Sequence, residues 1–464
     1  MPNWTMNEIA QAVKGEIVNK GKIKDVSGVS FDTRTLAEGD LFIPLTAERN
    51  GHAFIQTAID KGASATLWSD PIENAPLDIA VIQVDDTQKA FQSFAKYHLN
   101  NVSPKVVGIT GSNGKTTTKD MVAAVASSKY KTHKTDGNFN NHLGLPMTIL
   151  NMEKDVEVIV LEMGMGEKGE IKALSNIAEP DIAVITMIGE SHIEFLGSRE
   201  GIAEAKLEIV EGMEQGTLIY PGEEPLLQSR IDKGWVDVRV KTIKTFGKNK
   251  GVDVYSTEVE TEMKQTRFKT NQHPSMTCEL PIPGEYNVQN ALATILAGES
   301  LGINIEEIYT KLAHFQLTKD RLEWVDGIND SILLNDAYNA SPSSVRAVLN
   351  YFKGIEVPGR KIVVLGDILE LGEQAGEMHR KLHKEIEADT FDELVLYGEN
   401  MRCLYEEMKK KMDETKVYHF SGDKGALVEH LKESLRINDT AVFKSSYSTG
   451  MLEVVTELSQ QSDR

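Results

Sequence analysis

One segment constrains the fold of this chain more than any other. Lys105-Val106-Val107-Gly108-Ile109-Thr110 reads as a buried strand, and it runs straight into Gly111-Ser112-Asn113-Gly114-Lys115-Thr116-Thr117-Thr118, with a helical stretch from Lys119. A strand, a glycine-rich turn and a helix in that order call for an α/β layer architecture, with the turn at the carboxyl edge of a helix-covered sheet. Glycines let backbone N–H groups surround phosphate oxygens, and the helix N-terminus adds partial positive charge. Lys115 is spaced to reach the β- and γ-phosphates of a nucleotide, and the Thr116 hydroxyl to ligate Mg²⁺. Ile109 stands where the general GxxxxGK[ST] pattern has its first glycine, but the strand-loop-helix context matches.

The flanking sequence extends this α/β reading. Val156 to Leu161, Ile182 to Met187 and Thr217 to Tyr220 are continuous apolar runs, the mark of a parallel sheet covered on both faces. Before residue 100, strand-like runs (Asp40 to Leu45, Ile79 to Val84) alternate with helical ones (Ala53 to Lys61, Thr87 to His98). The polar Asn100-Asn101-Val102-Ser103-Pro104 reads as a linker. A second boundary falls near His314 to Thr318, after helical Ala291 to Leu301 and Ile305 to Leu312. Beyond it, Ile362 to Leu365, Leu394 to Tyr397, Tyr418 to Phe420 and Ala441 to Phe443 read as strands of another α/β unit. The expected fold is therefore α/β in three domains, 1–101, 102–316 and 317–464. The middle one would be a phosphate-loop parallel-sheet unit and the last a Rossmann-like one. A length of 464 residues suits three domains at about 150 residues each.

Glu162 closes the strand after Val156, so its carboxylate is placed to hold Mg²⁺ beside the phosphate loop. The GxGxxG match Gly164 to Gly169 is a lone signal next to an existing nucleotide site and is set aside. Asn249-Lys250-Gly251-Val252-Asp253 is one residue too long for a guanine-reading NKxD, and His192-Ile193-Glu194 lacks the PCxxC of a zinc deaminase. His379 and His383 share a helix face, but Arg380 stands where a zinc protease needs glutamate, so that helix is read as solvated.

Ser198 is positioned to cap a helix running through Ile202, Lys206, Ile209 and Met213, which puts Lys206 on an apolar stripe. Its stem could pack while the ammonium snorkels outward. Alternatively, desolvation favours the neutral amine, which reacts with CO₂ to give a carbamate, an anionic oxygen ligand for a metal.

Charge and cysteine content exclude several classes. Fifty basic residues against 70 acidic leave a net charge of −20, the wrong field for nucleic acid or an anionic membrane. Two cysteines, Cys278 and Cys403, cannot build a disulfide framework or a four-cysteine zinc site. The N-terminus lacks a secretory signal, and no apolar run approaches the roughly 18 residues of a membrane span, so a cytoplasmic location is expected.

The phosphate loop, Glu162, Ser191-His192-Ile193-Glu194 and Ala205-Lys206-Leu207-Glu208 follow one another as they do in Mur ligases, and the chain resembles that family along essentially its whole length. Ser30-Phe31-Asp32-Thr33-Arg34 and Arg49-Asn50-Gly51-His52 resemble the family's UDP-binding elements. Asn138-Phe139-Asn140-Asn141-His142-Leu143-Gly144-Leu145-Pro146 is similar to its NxNNxxGxP signature on the substrate side. Gly284 to Ala291, with Asn287 and Asn290, resembles the adenine-side motif. Arg321, Asp336-Ala337-Tyr338-Asn339-Ala340-Ser341-Pro342 and Leu365-Gly366-Asp367-Ile368-Leu369-Glu370-Leu371-Gly372 resemble motifs facing ATP and the incoming amine. Lys444-Ser445-Ser446-Tyr447 departs from the family's Lys-Gly-Ser-Arg, and no role is given to it.

The resemblance is closest to the members that add D-alanyl-D-alanine to UDP-N-acetylmuramoyl-tripeptide, and it implies a set of residue roles. ATP would be held by Thr110 to Thr117 with Asn287, Asn290, Arg321 and Asp336. One Mg²⁺ would sit on Thr116 and Glu162, and a second on His192 and carbamylated Lys206. Lys115, His192 and Lys206 would carry the chemistry. Tyr338, Asn339, Asp367 and Glu370 would face the amine, and Asn138, Asn140 and Asn141 would join the UDP-substrate side. Arg321 and Asp336 would reach the phosphates only when the domains close about 101–104 and 314–318, leaving Asp336 far from Lys115 in a chain without ligand. A monomer without nucleic-acid or membrane partners is expected. The competing readings are a sibling ligase adding a single amino acid, a regulatory phosphate-loop NTPase and a non-catalytic UDP-sugar binder.

Overall fold

The structure is a computed structural model, and it describes residues 3–21, 25–46, 49–236 and 238–460. Its described strands form three sheets. In the first, Glu16–Asn19 pairs antiparallel with Ala80–Gln83, and Ala65–Trp68, Asp40–Phe42 and Gly28–Ser30 continue in parallel. The second has nine strands, with Lys105–Thr110 between Ile182–Ile185 and Val158–Glu162. The third has six, and its parallel strands Ser331–Asn335, Thr440–Lys444 and Lys361–Gly366 lie side by side.

Alternation along the middle sheet explains its burial on both faces. Val107, Ile109, Val158, Val160 and Val184 point into one apolar cluster with the helices Lys115–Ala126 and Glu285–Ser300. Val106, Ile159, Leu161, Ala183 and Ile185 point the other way, against Leu145, Ile171 and Ile202. Successive side chains of a strand face opposite sides, so only a near-continuous apolar run satisfies both clusters. That second cluster runs on into the first domain through Phe91 and Phe94 and into the last through Val345 and Leu365.

Several expectations need correction. The segment read as a linker is mostly helix: Thr87–Val102 continues through Asn100 and Asn101 to a left-handed Ser103 (φ 54°), leaving only Ser103 and Pro104 before the next strand. Buried Phe91, Phe94, Ala95, His98 and Leu99 carry the helical stripe into that polar end. The helix after the phosphate loop starts at Lys115, not Lys119, because left-handed Gly114 (φ 82°) turns the chain directly into it. The helix bearing His379 is not simply solvated, since that ring is fully buried and its Nε2 accepts the Ile368 N–H at 3.0 Å.

Two antiparallel additions also escaped the sequence reading. Val254–Thr261, Thr266–Thr270 and Cys278–Leu280 extend the middle sheet, and Glu323–Gly327 pairs with Ser331–Asn335 at the edge of the third. Their polar, half-exposed character hides them among loop-like sequence.

Leu161, fully buried in the middle sheet, sets a test of this core. Leu161→Ala is expected to cost about 2–5 kcal/mol, read as an earlier denaturant transition followed by circular dichroism.

Candidate active site

Register builds the centre of the site. Parallel pairing sets Ile109 beside Glu162 and Thr110 beside Ile185, so the phosphate loop leaves its strand between two neighbouring strand ends. Gly111 (φ 148°) has no room for a side chain, since a Cβ there would lie 1.8 Å from Thr186 Oγ1. At Gly114 a Cβ would lie 2.4 Å from Asn290 Oδ1. Thr186 Oγ1 donates to Asn113 O at 2.5 Å, and Lys115 Nζ donates back across the loop to Gly111 O at 2.8 Å. Ser112 to Thr117 line a cavity of about 470 Å³, while Thr110 lies beneath it and donates from Oγ1 to Met163 O.

Glu162 is buried at the cavity floor. Its Oε2 accepts from Thr116 Oγ1 at 2.9 Å and its Oε1 from Asn140 Nδ2 at 2.8 Å. Asn138, Asn140 and Asn141 line the same cavity, and Asn141 Oδ1 accepts the Leu143 and Gly144 N–H groups. Burial lowers the Lys115 ammonium from its ordinary value, with Glu162 opposing and Arg321 adding to the fall.

Lys206 is inward, as its stripe predicts. Ser198 caps the helix Arg199–Leu207 by accepting the Gly201 N–H, and the Lys206 side chain is 1% exposed. Its Nζ has no hydrogen-bond partner among the described residues. Burial, and then the Lys115 charge, push this amine well below the usual lysine range against the pull of Glu162 and Glu208. His192, left-handed at φ 63°, lines the cavity, and its Nδ1 lies 2.6 Å from Glu370 Oε2, off the ideal hydrogen-bond line. That contact holds the Glu370 carboxyl low against the effect of its burial.

The last domain is already in place, contrary to the expected separation. Arg321, Asp336, Tyr338 and Asn339 line the same cavity as Lys115. Asn113 Nδ2 donates to Ser343 Oγ at 2.9 Å and Asn113 Oδ1 accepts from Ser341 Oγ at 3.1 Å, joining the phosphate loop to the capped start of helix Pro342–Gly354. Arg346 adds an ion pair to Glu190 at 2.7 Å. The Arg321 guanidinium lies 4.5 Å from the centre of the Tyr338 ring, a cation–π contact.

Other expected residues lie apart. Asp367 is outside the cavity lining; its carboxylate accepts the Asn400 and Met401 N–H groups and holds the turn after a strand. Asp32, Thr33, Arg34, Arg49 and Gly51 line a separate first-domain cleft of about 500 Å³. Ser30 supports it from beneath by donating to Asp32 O. Asn50 and His52 serve the fold there: Asn50 Oδ1 accepts the His52 N–H, and buried His52 accepts the Ser69 N–H at Nε2. Asn290 and Asn287 line the main cavity and bond to each other, Asn290 Nδ2 donating at 3.1 Å.

Lys444 was missed. It is 4% exposed, lines the cavity, and its Nζ donates to Asp336 Oδ2 at 2.6 Å and to Asn339 O at 2.9 Å. A lysine ending an apolar strand was the available signal, and the unfamiliar residues after it concealed it.

Fold and cavity define a phosphate-loop nucleotide-binding protein whose site is completed by a second domain. The chain belongs to the Mur ligase family: residues 109–298 match the Mur ligase middle domain and residues 320–447 the Mur ligase glutamate ligase domain. It is 43% identical over 98% of both chains to the UDP-N-acetylmuramoyl-tripeptide–D-alanyl-D-alanine ligase of Bacillus subtilis (strain 168). It is 31% identical over 99% of both to the Escherichia coli (strain K12) protein of that name. Among solved structures, MurF from Acinetobacter baumannii superposes with a TM-score of 0.87 at 29% identity, covering 99% of each chain. MurF from Thermotoga maritima in complex with ADP gives 0.80 at 27%, covering 93% of this chain and 97% of that one.

The loop geometry carries its own test. Gly111→Ala forces a side chain onto Thr186 Oγ1, so calorimetry should find nucleotide binding lost in a chain that still folds.

Proposed function

We infer that this chain is the ATP-dependent, ADP-forming amide ligase that joins D-alanyl-D-alanine to UDP-N-acetylmuramoyl-tripeptide in peptidoglycan precursor synthesis. The observation that carries this reading is the single cavity in which a phosphate loop, a buried carboxylate and the acceptor-side residues of the last domain meet. Full-length likeness to relatives bearing that name supports the choice of substrates. Each of the three sheets serves one role, with 1–101 holding the UDP moiety, 102–316 the nucleotide and 317–464 the amine and the closing residues.

A carboxylate and an amine do not condense in water, because hydroxide leaves poorly. Transfer of the γ-phosphoryl of ATP to the tripeptide's terminal carboxylate gives an acyl phosphate and ADP. The D-alanyl-D-alanine amine then attacks, and the tetrahedral intermediate expels phosphate. In this reading Lys115 balances charge on the β- and γ-phosphates, and the N–H groups of 111–117 cradle them. Arg321 approaches the phosphates and Asp336, steadied by Lys444, takes the ribose. Asn287 and Asn290 bound the adenine end, and Tyr338 and Asn339 face the amine. Glu370 acts through His192 rather than on the amine, and Asp367 keeps the neighbouring turn in shape. With the domains together, these walls keep water from the acyl phosphate.

The residues fit Mg²⁺. Thr116 and Glu162 offer hard oxygen donors within 2.9 Å of each other. Lys206, which stands behind the cavity lining, offers a buried amine with an unmet hydrogen-bonding need. Bonding of its nitrogen to CO₂, with loss of a proton, turns it into an anionic oxygen donor within the field of Lys115 and Glu162. Two bound Mg²⁺ ions would supply charge neutralisation between the substrate carboxylate and the γ-phosphate. No described helix is long and apolar enough to cross a membrane, and the reading has the enzyme working as a cytoplasmic monomer.

Phosphate release measured across a matrix of UDP-muramyl peptides and amines tests the whole reading. It should appear with the tripeptide plus D-alanyl-D-alanine; turnover of ATP without any amine would favour a regulatory NTPase. Lys115→Ala should cut ligation by about 10²–10³-fold while calorimetry finds UDP-precursor binding kept, because the first-domain cleft is separate. Lys206→Arg should be as damaging despite keeping its charge. In the unaltered chain ¹³C-bicarbonate should give a carbamate resonance that Lys206→Arg removes.

A further inference from the structure

Asp120 lies on the helix Lys115–Ala126, five residues beyond the loop lysine, and its side chain is fully buried. Its Oδ1 accepts from Lys134 Nζ at 2.6 Å and lies 3.3 Å from Lys119 Nζ. Its Oδ2 accepts twice from the interdomain segment, from the Thr318 N–H at 2.9 Å and the Thr318 hydroxyl at 2.8 Å. Lys119 passes the network on by donating to Thr135 O, and Thr135 Oγ1 accepts the Glu162 N–H at 3.0 Å. An unbroken series of polar contacts therefore runs from the linker to the backbone of the buried cavity carboxylate. Burial alone would raise the Asp120 carboxyl, but Lys119, Lys134 and the Thr318 N–H outweigh it and hold the group ionised.

The stretch after Thr318 is strained. Asp320 (φ 63°) and Leu322 (φ 48°) both take the left-handed conformation, and Leu322 has no short polar side chain to compensate. The far side of this stretch is tied to the last domain: the Asp320 N–H donates to Glu323 Oε2, and Asn335 Nδ2 donates to Asp320 Oδ1 at 3.0 Å. Arg321 sits between the two anchors and lines the cavity.

We propose that Asp120 is a positioning residue: by clamping Thr318 to the phosphate-loop helix, it confines the pivot of the last domain to 319–322 and sets where Arg321 enters the nucleotide cavity. The proposal rests on the reading of that cavity as the ATP site, and it moves the pivot beyond the 314–318 stretch expected from the sequence. Residues up to Thr318 travel with the middle domain and residues from Glu323 with the last, so opening gives up the bond from Asn335 to Asp320. Opening rotates the strained residues between them, so the clamp determines how much of that strain closure must restore.

Asp120→Asn leaves Lys119 and Lys134 short of a buried anion and could unfold the chain, so the deciding variant is Thr318→Val, which removes one bond to Asp120 and keeps the side-chain shape. Small-angle scattering during titration with a non-hydrolysable ATP analogue reads closure, and steady-state kinetics read the two KM values. Thr318→Val frees the segment in the open form more than in the closed one, where the cavity contacts still hold it. A hydrogen bond to a charged group lost in this way is worth at most about tenfold in the closed-to-open ratio. The closure midpoint and the KM for ATP should rise by up to that factor in Thr318→Val, with the KM for the UDP-precursor unchanged and Thr318→Ser restoring both. A normal Thr318→Val beside an impaired Arg321→Ala would overturn the clamp alone. A normal Arg321→Ala would overturn the phosphate-side reading and the clamp with it. An equal rise in both KM values, not rescued by serine, would reduce Asp120 to a structural ion pair.

Discussion

Glu162 is a buried carboxylate at the end of a central strand, and such a group costs several kcal/mol to desolvate unless its oxygens are matched. Here each oxygen has a neutral donor, Thr116 on one side and Asn140 on the other, and its backbone N–H goes to Thr135. Its charge is felt instead by the Lys115 and Lys206 amines, whose charged forms it favours against their burial. Thr116 is there because the phosphate loop starts from the adjacent strand, and Asn140 because its loop meets the turn after Glu162, where the Gly164 N–H donates to Asn140 O. Loop, strand order and Asn140 are thus fitted around one charge.

The second constraint is that two sheets meet with their strand ends at the same cavity. Lys444 ends one strand of the third sheet and Asp336 follows its paired neighbour, so their ion pair stands at the carboxyl edge, in the cavity that Lys115 lines. Polar contacts join the two edges at Asn113 with Ser341 and Ser343, at Arg346 with Glu190 and at His192 with Glu370, beside the apolar cluster that runs on through Val345 and Leu365.

Legibility followed the range of the interaction concerned. The phosphate loop was readable because strand, glycines and helix are contiguous, and Lys206 because its burial follows from helical spacing on one segment. Asp367 and His52 looked like site residues in their motifs, yet the structure uses them to fix turns, because a carboxylate or imidazole beside a tight turn finds backbone N–H partners before it finds solvent. Lys444 was obscured in the opposite way: its role depends on Asp336, 108 residues earlier, reached only through strand pairing. The antiparallel strands were hidden because at least one face of each is partly or fully exposed and carries polar residues that elsewhere signal loops.

The sequence by itself determined that the chain has a covered parallel sheet, a phosphate-binding turn, a carboxylate beside it and a lysine turned into the core. These are matters of local spacing and of apolar runs long enough to bury. It also carried the family likeness, since the motifs recur in order. Only the tertiary structure decided which residues share one cavity, that Asp32 and Arg34 line a different cleft from Asn138 and Asn140, that Glu370 meets His192, and that Asp120 holds the linker. Those outcomes depend on strand order and domain placement, which bring together groups far apart in the chain. No periodicity within a single segment encodes them.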